Sequence, residues 1–164
     1  MTYKIIDGKG IIPELVRVIE SGAFRDCESL TSMEIPCGVK EIGNDAFTGC
    51  DNLQAIVLPN SVTKIGERAF SGCRSLRSIE IPDSVTIIGE NAFEDCDLQS
   101  VTIKTLEKDP NLSYKNIQFI LQALSEISKP LEINLRVPIG CGYAYRRYSR
   151  FAGKFTKIIA DVSD

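Results

Sequence analysis

Ile65-Gly66-Glu67-Arg68-Ala69-Phe70-Ser71-Gly72-Cys73-Arg74-Ser75-Leu76-Arg77-Ser78-Ile79-Glu80-Ile81-Pro82-Asp83-Ser84-Val85 decides the fold, because its landmarks return every 23 residues on both sides. The Ala-Phe pair recurs as Ala23-Phe24, Ala46-Phe47, Ala69-Phe70 and Ala92-Phe93, and the cysteine as Cys27, Cys50, Cys73 and Cys96. Four copies in phase mark a repeat protein. Each unit is too small to bury its own apolar side and must stack on its neighbours.

Within a unit the spacing predicts a short strand ending near the proline, a tight turn, a second extended piece through Ile-Gly, and one helical turn at Ala-Phe. Strand alternation sends Met33 and Ile35, Ile56 and Leu58, Ile79 and Ile81, and Val101 and Ile103 inward. The residues between them face out: Ser32 and Glu34, Ala55 and Val57, Ser78 and Glu80, Ser100 and Thr102. Gly43, Gly66 and Gly89 meet a backbone need for a bend or a close approach. A phosphate-binding loop needs Gly-x-Gly-x-x-Gly at a strand-to-helix step, and none occurs.

Outward from the repeats the pattern changes. Residues 1–11 read as a hairpin-like cap around an Asp7-Gly8 turn, and four repeats fill 12–104. The fourth is one residue short between Cys96 and Leu98. Ser113 caps a helix expected at about 114–128, with Ile117, Ile120, Leu121, Leu124 and Ile127 on one face. Leu135-x-Val137-Pro138 then restores the strand signature, which sets Leu135 in the place of Val101 and makes 105–138 a fifth repeat enlarged by 11 residues. Residues 139–164 form a C-terminal cap, read as a short helix and a final extended segment.

Net charge is −3, but it is uneven: from Lys129 onward there are seven basic and three acidic residues. An acidic stack thus carries a basic tail. No apolar run approaches the ~20 residues of a membrane-crossing helix, and the opening residues lack the apolar core of a secretion signal. The absence of histidine removes Ser-His-Asp and Cys-His pairs and the usual zinc sites, so no catalytic residues, metal or cofactor are expected. Glu34 and Glu80 sit two rungs apart, roughly 10 Å, and read as a solvated face rather than a glycosidase pair. The in-phase cysteines read as reduced core thiols, because neighbouring Cβ vectors run parallel; Cys37 and Cys141 fall in turns.

The unit resembles the BspA-type leucine-rich repeat family of bacterial surface proteins, with its pattern close to Ile-Gly-x-x-Ala-Phe-x-x-Cys-x-x-Leu-x-x-Ile-x-Ile-Pro-x-x-Val. Residues 65–85 match every defined position. The resemblance implies a leucine-rich repeat solenoid of the right-handed β-α superhelix type, mainly parallel β with short helical turns. It also implies a non-catalytic module that binds protein ligands, such as host matrix or cell-surface proteins, at the cell surface or after secretion.

On that basis the expected site is the concave sheet face: Ser32, Glu34, Ala55, Val57, Ser78, Glu80, Ser100 and Thr102, with Arg136 from the cap strand. An alternative is a scaffold whose basic cap, Arg146, Arg147, Arg150, Lys154 and Lys157, engages an anionic glycan, nucleic acid or membrane surface. The aromatics interleaved there are more simply the buried face of the cap, so nucleic acid is not the expected partner.

Overall fold

The computed structural model describes residues 3–104, Leu124, 131–137 and 155–162. Every element bounded within those residues is a strand, and Leu124 is helical. One row comprises β1 (Lys4–Ile6), β2 (Lys9–Ile11), β4 (Ser32–Glu34), β6 (Ala55–Val57), β8 (Ser78–Pro82), β10 (Ser100–Lys104), β11 (Leu131–Val137) and β12 (Phe155–Val162). A second row comprises β3 (Val18–Ile19), β5 (Glu41–Ile42), β7 (Lys64–Ile65) and β9 (Ile87–Ile88). The rows form three four-stranded sheets, ordered β1-β2-β4-β6, β12-β11-β10-β8 and β3-β5-β7-β9. All pairings are parallel except β1 with β2, a hairpin through Asp7 and Gly8, which both take positive φ. The result is a parallel-strand β-solenoid of about four turns.

Identical positions stack, so the core is a set of ladders. The rings of Phe24, Phe47, Phe70 and Phe93 lie parallel, with centroids 5.2, 5.3 and 5.5 Å apart. Tyr3 closes the lower end, 5.1 Å from Phe24. Leu30, Leu53, Leu76 and Leu98 are all buried, so the one-residue deletion in the fourth unit is absorbed in its loop.

The Ala-Phe segment corrects the expected helical turn and, with it, the β-α description of these repeats. Its N–H groups alternate. Gly22, Phe24 and Asp26 donate to the carbonyls of Asn44, Ala46 and Thr48 in the next rung at 2.8–2.9 Å, while Ala23, Arg25 and Cys27 donate three residues back. A helix would need every N–H to stay within the segment; here half of them tie the rungs together. The alternation demands left-handed backbone twice per unit, at Gly22, Asp45, Arg68 and Asn91 and again at Asp26, Gly49, Gly72 and Asp95. Gly, Asn and Asp tolerate that conformation, and Arg68, at φ 51°, does not fit the set. Arg68→Asn should therefore raise stability by up to about 1 kcal/mol in urea unfolding. A loss of stability would show instead that the exposed 4.0 Å pair with Glu94 outweighs the strain.

The fifth strand also departs from expectation. β11 pairs with β10 as Val101↔Ile133 and Ile103↔Leu135, two residues earlier than the Val101 to Leu135 alignment. The insertion is nine residues, not eleven. Ile133, Leu135 and Val137 alternate, so a two-residue slip leaves the same face inward and the pattern alone cannot choose the register. The helix expected at about 114–128 lies outside the described residues, apart from Leu124, which is buried. The final segment is extended as β12, in parallel register with β11.

Candidate binding face

The outer face of the first row follows from register. Ser32 pairs with Ala55 and Glu34 with Val57; Ser78 pairs with Ser100 and Glu80 with Thr102. The sheet-forming hydrogen bonds divide the row into two ladders that abut at β6 and β8. Glu34, Ala55, Val57, Ser78 and Glu80 are exposed, and Ser32, Ser100 and Thr102 are half-buried. Arg136 stands beside Lys104, and Asn134 takes the expected place beside Thr102, a correction that follows from the two-residue slip. Glu132, half-buried, pairs with Ser100.

The strip also begins earlier than the sequence reading placed it. Lys9 pairs with Ser32, Ile11 follows in step with Glu34, and antiparallel β1 adds Ile6 opposite Lys9 and Lys4 opposite Ile11. Residues opposite each other share a face, so Lys4, Ile6, Lys9 and Ile11 extend the strip by two strands. The signal was present, since 23 residues back from Ser32 and Glu34 are Lys9 and Ile11. A charge pair at 3.6 Å links Lys9 to Glu34. Val57 is 59% exposed and Ile11 42%. Of the alternative basic patch, Arg146, Arg147, Arg150 and Lys154 lie outside the described residues; Lys157 falls on β12 in register with Glu132.

The cysteines are built into the stack. The thiols of Cys50, Cys73 and Cys96 donate to the carbonyls of Phe24, Phe47 and Phe70 one rung below, at 3.0, 3.2 and 3.0 Å. Burial pushes the Cys50 thiol up to about 12; a side-chain hydrogen bond with Cys96, and burial, push Cys73 up as well. A nucleophile or metal ligand needs the thiolate, so these groups serve packing. Cys27, Cys37, Cys50, Cys73 and Cys96 are free thiols.

Thiol titration of the native protein should accordingly modify exposed Cys37 before Cys50, Cys73 and Cys96, which react only as fast as the stack opens. The raised Cys50 value also sets a sign. At pH below 9 that thiol is protonated in both folded and unfolded chains. Above it the unfolded chain ionises first, so stability should fall as pH rises from 9 toward 12.

Among the described residues no cluster of three or more metal-ligating side chains occurs, and no helix is long and apolar enough to cross a membrane.

Comparison with known proteins agrees with this architecture. The model of the BspA type leucine rich repeat region matches residues 9–120 in six copies. No curated protein matches the sequence. Among solved structures, a leucine rich cell surface protein of Faecalibacterium prausnitzii superimposes with a TM-score of 0.59 at 27% identity, covering 96% of this chain and 33% of that one. A leucine-rich repeat protein of Bacteroides capillosus gives 0.51 at 33% identity, over 55% of this chain and 64% of the other. The pneumococcal vaccine antigen PcpA gives 0.65 over 94% of this chain and 41% of its own length; at 19% identity it shares the fold. The chain thus spans less than two thirds of each of these proteins. With 23-residue rungs in register and a family model matched over most of its length, the chain belongs to the BspA-type leucine-rich repeat family, whose repeats are a common protein-interaction module.

Proposed function

We propose that the chain binds a protein partner through the outer face of its first strand row and performs no chemistry of its own. The observation that carries this reading is the exposure of Val57 and Ile11 among Lys9, Glu34 and the small side chains of Ser32 and Ala55. The fold gains nothing from apolar side chains pointing into water on a regular sheet, whereas a flat strip with apolar anchors between charges suits an interface. The F. prausnitzii relative is described as a cell surface protein, which supports a matrix or cell-surface protein as the partner.

Eight strands at ~4.8 Å give a strip roughly 34 Å long and ~10 Å wide, well short of the ~800 Å² per partner of a standard interface. A single contact is therefore weak, and function rests on several copies or on a longer parent protein. The test is binding to a panel of extracellular-matrix proteins, nucleic acids and sulfated glycans. A Glu34→Arg, Val57→Arg variant should lose a protein ligand by about tenfold or more, while an Arg146→Glu, Arg147→Glu variant should retain it. A polyanion ligand lost only in the arginine variant would overturn the reading.

A further inference from the structure

The second strand row carries a charge order with no role in the face described above. β3, β5, β7 and β9 pair in register, which aligns Val18, Glu41, Lys64 and Ile87 in one outward column. The two ends are apolar and exposed, Val18 at 45% and Ile87 at 52%. The middle is an acid and a base, Glu41 and Lys64, in contact at 2.6 Å.

Read in reverse, the column is its own complement. We propose that a second copy of this chain docks here, turned end for end about a two-fold axis parallel to the strands. Val18 then meets the partner's Ile87, and Glu41 meets the partner's Lys64, with both contacts made twice, as an isologous interface requires. The four charges form a square in which each side chain has only opposite charge as its nearest neighbours. The adjoining exposed column takes the same order under this operation: Arg17, whose guanidinium donates to the Glu14 and Val16 carbonyls, comes level with the partner's Thr86, and Lys40 comes level with the partner's Thr63. Both threonine hydroxyls donate within their own chain, Thr63 to the Lys40 carbonyl and Thr86 to the Thr63 carbonyl, which leaves their oxygens able to accept. No like charges oppose each other in either column. That complementarity to itself, rather than to a generic ligand, selects a second copy as the occupant.

Three strand spacings separate Val18 from Ile87, about 14 Å. The contact buries a few hundred Å² per subunit, which places it among weak, reversible interfaces with dissociation constants of about 10 μM to 1 mM. Sedimentation equilibrium over that concentration range tests it. The wild-type chain should show a monomer–dimer equilibrium. Lys64→Glu and Glu41→Lys should each weaken it by about tenfold or more, since either places like charges across the axis. The double variant Glu41→Lys, Lys64→Glu keeps the intrachain pair and should dimerise again, yet it should not associate with wild type, because mixing sets acid against acid and base against base.

Ile87→Asp, at an exposed site that cannot harm the core, should also abolish association. A wild-type chain that stays monomeric at about 1 mM, or a double variant that associates freely with wild type, overturns the proposal. Because Val57 lies on the other row, the Glu34→Arg, Val57→Arg variant should dimerise normally, so failure here is separable from failure of the proposed binding face.

Discussion

Phe47→Ala should cost about 3–5 kcal/mol of stability, enough to unfold a marginal domain. Phe47 is fully buried and stacks on Phe24 at 5.2 Å and on Phe70 at 5.3 Å. Truncation removes the ring and opens a cavity between two rungs at once. In a solenoid each unit is held by its neighbours, so the loss falls on both interfaces of the second unit. Hydrogen exchange should show the deuterated region spreading from the Phe47 turn into units on either side, and Phe47→Leu should restore more than half of the loss. A cost under about 1 kcal/mol would mean that neighbouring rungs collapse into the space.

Gly66→Ala should cost about 3 kcal/mol or more, for a different reason. A Cβ at Gly66 would lie 2.7 Å from the Asn44 nitrogen, 2.7 Å from the Gly43 carbonyl carbon and 2.6 Å from Asn44 Oδ1. Two of those atoms are backbone of the rung below and cannot rotate away. The rungs would have to part, stretching the Gly66 N–H to Ile42 carbonyl bond at 2.8 Å and the Glu67 N–H to Asn44 Oδ1 bond at 3.0 Å. Gly72 is the control. It takes φ 74°, but its nearest neighbour to a new Cβ is 3.6 Å away. Asparagine tolerates that backbone, so Gly72→Asn should be nearly neutral while Gly66→Asn should be as damaging as alanine. Equal costs at the two sites in thermal or urea unfolding would refute the steric account.

Much of this was legible before any coordinates. The 23-residue step foretold the ladder of Phe24, Phe47, Phe70 and Phe93, the buried cysteines, and the outward rows from Ser32 to Thr102. These positions repeat because each must match its copy above and below, and that matching is itself the sequence signal. Lys9 and Ile11 were missed although they hold the same step, because the lost leucine at Asp7 hid the first unit; Gly10, at the Met33 position, has no side chain to mark it.

The sequence by itself determined the period, the direction of the side chains in the strands from Ser32 to Ile103 and the absence of histidine chemistry, since all three follow from local identity and spacing. Tertiary structure decided where two local solutions were equally good. The turn at Ala-Phe could close as a helix or send alternate N–H groups upward, and the neighbouring rung's carbonyls chose the second. Ile133 and Leu135 could each stand beside Val101 with the same face inward, and the pairing with β10 chose Ile133. The column Val18, Glu41, Lys64 and Ile87 is scattered over 70 residues of chain, and its order has meaning only once stacking lays those side chains a rung apart.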